Sequence, residues 1–167
     1  MQKMMARVGA ALRLAAAVAS GALALVTVLP VMAATPFEGL EGSWSGTGKI
    51  HFEGGQSEQI RCTAYYTLSD GGGRLGLAIR CASASNKIEL RGRLAHNGGQ
   101  VAGNWEERTF NAEGTATGRA IDGGVTLRLS GTVSGSMSVS VARGRQTVAI
   151  STQGSGLRGV QITLNRR

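Results

Sequence analysis

The chain has 167 residues, with 18 Lys and Arg against 10 Asp and Glu, which gives a formal net charge of +8. It holds 26 glycines but only two cysteines and two prolines, and aromatic residues make up 4% of it. This length suits one domain with a single core. The absence of charge blocks and of long Ser/Gly linkers argues against a second domain or a disordered tail.

Residues 1–34 are typical of a secretory signal peptide. The segment carries three basic residues and no acidic one, continues as an apolar run, and ends in small residues at Ala33 and Ala34. We expect cleavage after one of these two alanines, which would leave a soluble, periplasmic or secreted domain of residues 35–167. Because three of the 18 basic and none of the 10 acidic residues are removed, its net charge is +5. An uncleaved membrane anchor is the alternative, since the apolar run approaches the length that spans a bilayer.

Both cysteines lie in the stretch IRCTAYYTLSDGGGRLGLAIRCAS, residues 60–83. Counting outward from the midpoint of Gly71 and Gly72 places Cys62 directly opposite Cys81 in a β-hairpin. Opposed residues of an antiparallel pair come close enough for a disulfide, and the bond persists in an oxidising compartment. The alternatives are a reactive thiol pair and a metal site, although the sequence has no C-x-x-C and no nearby His.

Alternating apolar and polar residues continue along the rest of the chain, in runs such as 87–96, 125–133 and 160–164. Glycine-rich turns separate these runs, and nothing after the leader has helical periodicity. The pattern predicts an all-β fold, an antiparallel up-and-down meander of 8–10 strands. We expect it to close as a small barrel because closure removes exposed sheet edges. Glycines inside strands suit the bends of a barrel, while an open sandwich and a β-solenoid are the alternatives.

The tripeptide Gly42-Ser43-Trp44 opens the first predicted strand. It resembles the Gly-x-Trp at the start of lipocalin and avidin-like barrels, the calycin group. In lipocalins this Trp closes one end of the barrel beneath an Arg from near the last strand. The resemblance implies such a place for Trp44, with Arg158 or Arg166 as the arginine. The central lipocalin motif and the biotin-contacting residues of avidin are missing, so no ligand follows from it.

Segments along nearly the whole mature chain resemble a family of small exported proteins of Gram-negative bacteria. They are IRCTAYYTL, RCASASNKIEL, GNWEERTFNAEGTATGR, RQTVAISTQG and VQITLNR. The resemblance implies export, the cysteine pair and a single domain. It supplies no catalytic residue.

The sequence contains no motif that indicates catalysis. His51 and His96 lie on separate hairpins, and neither has a metal ligand at a suitable spacing. No Gly-x-Ser-x-Gly occurs, and the G-x-G-x-x-G at residues 71–76 precedes a strand where a dinucleotide site requires a helix. We therefore predict neither an enzyme nor a cofactor or metal site; a clustering of both histidines with Glu107 would favour catalysis.

A ligand cavity is one candidate function. Trp44, Tyr66, Trp105 and Glu107 would line the mouth of the barrel and hold a small apolar or amphipathic ligand. If Trp105 points inward, Glu107 shares its side of the strand. The simpler alternative for Glu107 is a structural role at a strand end near the barrel mouth.

The outer face is the second candidate. A two-residue turn at Ser85-Asn86 would place Arg80 opposite Arg91, with Arg61 and Arg93 nearby. Opposed arginines repel each other, which suggests an anionic partner, although Glu89 lies close and surface charges often serve solubility alone. The sequence thus predicts a monomeric, non-enzymatic binding module. The alternative is an envelope protein that binds an anionic glycan or lipid; we do not expect nucleic acid as the partner.

Overall fold

The predicted hairpin around the two cysteines is present with the register that the alternation gives. In the computed structural model, which describes residues 35–121 and 123–167, Cys62 pairs with Cys81 and Tyr66 with Leu77. The two cysteines form a disulfide, with their Cα atoms 4.1 Å apart. A cross-strand disulfide is therefore the arrangement adopted, and the thiol-pair and metal-site alternatives do not apply.

The described residues form ten antiparallel strands, each joined to the next along the chain. The pairing of β1 with β10 closes the ring, so the prediction of a closed meander is confirmed. A 3-10 turn, Asp70–Gly72, joins the second strand to the third. The strands are β1 (Gly42–Phe52), β2 (Ser57–Ser69), β3 (Arg74–Ala82), β4 (Lys87–Asn97), β5 (Gln100–Glu107), β6 (Ala112–Ile121), β7 (Gly124–Gly131), β8 (Ser134–Ala142), β9 (Arg145–Gln153) and β10 (Leu157–Arg166).

The predicted signal peptide, residues 1–34, lies outside the described residues. Within residues 35–121 and 123–167, no helix has the length and apolar character that a bilayer span requires.

Because every strand reverses direction, the connections fall at two ends of the barrel. The loops after β1, β3, β5, β7 and β9 lie at one end, which we call the open end: residues 53–56, 83–86, 108–111, 132–133 and 154–156. The loops after the even-numbered strands lie at the other. Residues 35–41 also lie there, and their Phe37 and Leu40 are fully buried, so we call this the closed end.

Inward-facing residues alternate with exposed ones on most strands, and the inward set is largely apolar. Two glycines on β1 show how tightly the wall is bent. A Cβ at Gly46 or Gly48 would collide with the β10 carbonyl oxygens of Thr163 and Gln161. These positions require glycine because the neighbouring backbone occupies the space of a side chain. Close approach of β1 and β10 thus explains these two in-strand glycines.

Candidate functional site at the open end

Trp44 is a structural residue of the closed end. Its side chain is fully buried, and its indole Nε1 donates a hydrogen bond to the Leu40 carbonyl oxygen at 2.8 Å. The guanidinium carbon of Arg166 lies 4.5 Å from the ring centroid, a cation–π geometry. Arg166 also donates to the carbonyl oxygens of Glu41 and Gly39. Of the two arginines that the resemblance offered, Arg166 therefore covers Trp44.

Tyr66 lies in the same half of the barrel, near the end of β2. Its hydroxyl donates to Oε1 of Gln146 at 3.1 Å, and both side chains are buried. Burial raises the pKa of the Tyr66 hydroxyl, which therefore stays protonated and acts as the donor. Gln146 Nε2 has no hydrogen-bond partner among the described residues. The pair is a polar contact within the core, at the end away from the cavity described next.

A cavity of about 360 Å³ opens between the loops of the open end. Apolar side chains supply most of its wall, from β1, β4–β7, β9 and β10. They include Ile50, Ile88, Leu90, Trp105, Leu129 and Val160. A concave, largely apolar site with a few polar groups at its rim is the usual form of a small-molecule site.

Trp105 is the largest side chain on this wall. It is half-buried and packs against the core, while its Nε1 donates to the Thr115 carbonyl oxygen at 3.1 Å. Its polar atom is therefore satisfied by the neighbouring strand β6, and its ring remains available to the cavity. Phe110, from the loop between β5 and β6, stands at the rim with 63% of its surface exposed.

Glu107 has the structural role considered for it and also borders the cavity. It lies at the end of β5 and borders the cavity. Its Oε1 accepts a hydrogen bond from the backbone N–H of Glu89, and its Oε2 accepts one from that of Phe110, both at 2.7 Å. Each carboxylate oxygen thus braces a backbone segment of the open end, and Glu107 holds the position of Phe110.

The other polar side chains around the cavity also bond to the protein. Asn86 donates from Nδ2 to the Glu58 carboxylate at 3.2 Å. The hydroxyls of Thr152 and Ser155 both donate to the Leu157 carbonyl oxygen. These contacts tie loops 83–86 and 154–156 to the barrel and leave the interior wall mainly apolar.

The structure thus separates the four predicted ligand residues into two pairs. Trp105 and Glu107 border the cavity, whereas Trp44 and Tyr66 lie toward the closed end. Phe110 was missed because a lone Phe in a loop gives no periodic signal. The histidines are also apart: His51 is near the open end of β1, whereas the Nε2 of His96 accepts from Gly99 N–H at the closed end.

The outer face differs from prediction in its register. Arg80 pairs with Glu89, and Arg91 pairs with Ala78, so Arg80 does not face Arg91. The predicted turn at Ser85-Asn86 is wrong, because a longer turn spans residues 83–86. It is closed by the Ser83 N–H, which donates to the Asn86 carbonyl oxygen at 2.9 Å. A shift of two residues keeps every side chain on its predicted face.

Glu89 balances part of the basic charge on this face. Its Oε1 lies 2.8 Å from Arg91, 3.5 Å from Arg80 and 3.6 Å from Arg108. The hydrogen bond from Arg91 and the charges of all three arginines hold the pKa of Glu89 below its usual value. Arg61 and Arg93 are exposed and make no ion pair within the described part of the chain.

Two solved structures share this architecture. Rv2717c from M. tuberculosis superposes with a TM-score of 0.64 at 14% sequence identity, over 80% of this chain and 98% of that one. The S-type phycobiliprotein lyase CPES from Guillardia theta gives a TM-score of 0.52 at 16% identity, over 78% of this chain and 90% of the lyase. No protein-family model and no curated protein matches the sequence. The similarity therefore concerns the fold alone, and the closed ten-strand antiparallel barrel fits the calycin-like barrel that Gly42-Ser43-Trp44 implied.

Proposed function

We propose that this protein is a non-enzymatic binding module that takes a small apolar or amphipathic ligand into the cavity at the open end. The observation that carries the proposal is the chemistry of the wall. Apolar side chains form most of it, and the bordering polar side chains Asn86, Glu107, Thr152 and Ser155 already hydrogen-bond to the protein. Such a wall favours hydrocarbon over a polar group, because the latter would lose its hydration without gaining new partners.

The size of the cavity limits the ligand. A group the size of a water molecule takes up roughly 30 Å³ of liquid, so the cavity of about 360 Å³ holds about a dozen such groups. This volume suits one linear or branched hydrocarbon chain, with any polar head left at the rim beside Phe110. The two similar structures support a barrel of this shape, and one of them is called a phycobiliprotein lyase, although the fold alone names no ligand.

Fluorescence provides the test, because the chain has only two tryptophans. Trp44→Phe leaves Trp105 as the only one, at the cavity wall. We expect saturated fatty acids to change its emission, with affinity rising about fourfold per added CH₂ and levelling off near twelve carbons, since burying each CH₂ contributes about 0.8 kcal/mol.

Two alanine positions, one on each side of the barrel wall, provide the control. Ala112 is buried beside the cavity, whereas Ala102 is exposed on the outer face of β5. Ala112→Leu should fill part of the cavity and weaken binding, and Ala102→Leu should not. An affinity that does not change with the length of the fatty acid, or that falls equally in both variants, would exclude the cavity as the binding site.

We also infer that the protein is exported and that residues 1–34 are its signal peptide. The disulfide supports this, because such bonds persist outside the cytoplasm. Expression of the full chain in a Gram-negative host should yield periplasmic or secreted protein whose N-terminus is Ala34 or Thr35. Recovery of uncleaved, thiol-reduced protein from the cytoplasm would contradict export.

A further inference from the structure

We propose that the outer wall of β1–β4 carries a second site, for a polysaccharide bearing acidic groups. A groove of about 590 Å³ runs along this wall, and Ile88 is the one residue that it shares with the lining of the cavity. Four basic side chains line it, with Glu89 as the one carboxylate side chain. We call it the basic groove and define it by Arg61, Arg80, Lys87 and Arg167.

The strand register places basic side chains on both sides of a small residue, which forms the bottom of the groove. Ala82 pairs with Arg61 on β2 and with Lys87 on β4, so a small side chain separates two long cationic ones. Arg167 is held at the edge by its backbone N–H, which donates to the Ser43 carbonyl oxygen at 2.9 Å. The cations therefore surround a depression rather than project from a convex surface.

Charge in the groove is only partly balanced. Glu89 already pairs with Arg80, Arg91 and Arg108. Arg61, Lys87 and Arg167 form no ion pair within residues 35–121 and 123–167. The hydroxyl-bearing Thr47, Thr63 and Thr109 stand beside them and add hydrogen-bond donors. Carboxylate, sulfate and phosphate groups are the ligands that such a set recognises.

A neighbouring groove extends the surface. It measures about 810 Å³ and contains Tyr65, which is 56% exposed, together with two cations, two carboxylates and one amide: Arg91, Arg93, Glu106, Glu113 and Asn104. Tyr65 is the next outward residue after Thr63 on β2, roughly 7 Å along the strand. An exposed aromatic ring suits the apolar C–H face of a sugar ring, and the guanidinium and amide groups suit its hydroxyls.

This combination favours a polymeric glycan over a membrane. The basic groove matches the acidic groups of an extended polymer, and the adjoining groove, where Glu106 and Glu113 offset Arg91 and Arg93, matches its sugar rings and hydroxyls. Surface docking on lipid would instead require apolar side chains that enter the interface. Tyr65 is the one exposed large apolar residue in these grooves.

The test compares two double variants with equal loss of charge. Arg61→Gln with Lys87→Gln removes two cations of the basic groove. Arg119→Gln with Arg128→Gln removes two exposed cations from β6 and β7, on the far side of the ring. Binding of the folded wild-type domain to heparin, polygalacturonate and uncharged dextran is measured by calorimetry or retention at several salt concentrations.

We expect the groove variant to raise Kd for the two acidic polymers about tenfold, since each exposed charge contact accounts for roughly a threefold to fivefold change. The far-side variant should change it less than twofold, and dextran should not bind. Tyr65→Ala should weaken binding of both acidic polymers, and Tyr65→Phe should not.

Three outcomes would overturn the proposal. Equal weakening in both double variants would show that net charge alone attracts the polymer. Unchanged binding in the groove variant would exclude these residues. Tighter binding to phosphatidylglycerol vesicles than to either polymer, with the same dependence on Arg61 and Lys87, would assign the groove to a lipid surface instead.

Discussion

The two tryptophans show how differently the ends of the barrel are built. Trp44 is fully buried. Its indole N–H donates to the Leu40 carbonyl oxygen, and Arg166 lies over its ring face. Trp105 is half-buried, and its ring borders a cavity. The aromatic side chain of the closed end thus fills the core, while that of the open end borders a cavity.

The means of stabilisation differ in the same way. At the closed end, Phe37, Leu40 and Trp44 are all buried in the hydrophobic core, and side-chain burial is the main stabilising contribution. A cavity takes the place of that packing at the open end. There the Cys62–Cys81 disulfide and the hydrogen bonds of Glu107 hold the wall and the loops. We therefore expect substitutions at the closed end to change mainly the stability of the protein, and substitutions at the open end to change mainly ligand binding.

Trp44→Ala should have the largest effect. Removing a fully buried indole leaves a void and frees Arg166, so we expect the free energy of unfolding to fall by about 3–5 kcal/mol. Urea unfolding followed by circular dichroism measures the change. Trp44→Phe, which keeps an aromatic ring, should lose less. A loss below that of Trp105→Ala would contradict the assignment of the closed end as the packed one.

Removal of the disulfide should come second. Cys62→Ala with Cys81→Ala opens a link between residues 19 apart, for which loop entropy predicts a loss of about 3 kcal/mol. Because Cys81 pairs with the cavity residue Ile88, hydrogen exchange should quicken in β3 and β4 near the open end more than around Trp44.

A reducing agent is the control for this variant. It should lower the stability of the wild type by a similar amount and leave the double variant unchanged. Faster exchange confined to the closed end would show that the bond stabilises a different region from the one inferred.

Trp105→Ala should affect binding more than stability. Because the ring is half-buried and borders an existing cavity, we expect a loss of about 1–2 kcal/mol in unfolding free energy, less than the loss for a buried aromatic residue. Fatty-acid affinity should fall at least about tenfold, since an aromatic ring supplies much of a pocket's contact area. The measurement requires a reporter other than tryptophan, such as calorimetry. Unchanged affinity would separate Trp105 from the ligand.

The fold could be predicted from the sequence because its signals are local. Alternation of period two assigns faces, and the glycine-rich turns mark the strand ends, so the Cys62–Cys81 register follows from counting. Closure followed from the energetic cost of free edges. The prediction of a two-residue turn at Ser85-Asn86 was wrong because side-chain hydrogen bonds fix a longer turn, residues 83–86. Ser83, Ser85 and Asn86 all donate to Glu58, which is distant in sequence.

The site was predicted only in part, for a geometric reason. Trp44 stands near the start of an odd strand and Tyr66 near the end of an even one, which places both at the same end of an up-and-down barrel. Trp105 stands near the end of an odd strand and so lies at the opposite end. Counting the strands and following their direction therefore places Trp105 at the end opposite Trp44 and Tyr66. The prediction of one shared site relied on aromatic character alone. Cavity volume depends on how side chains pack, which a sequence pattern does not show.

Glu89→Gln should give the smallest effect, and the effect should depend on pH. The pKa of Glu89 is lowered from 4.5 by the Arg91 hydrogen bond and the nearby arginines. Its ionised form is thus favoured by folding, so its stabilisation is complete above pH 4.5 and is lost as the pH falls through the lowered pKa. The variant should be slightly less stable than the wild type at pH 7, and the difference should be smaller at pH 3. Urea midpoints at both pH values measure this.

Glu113→Gln, which removes an exposed carboxylate with no ion pair in the described residues, is the control. Its stability relative to the wild type should not change in this way between the two pH values. A difference for Glu89→Gln that persists unchanged at pH 3 would mean that packing of the side chain, rather than its charge, stabilises the outer wall.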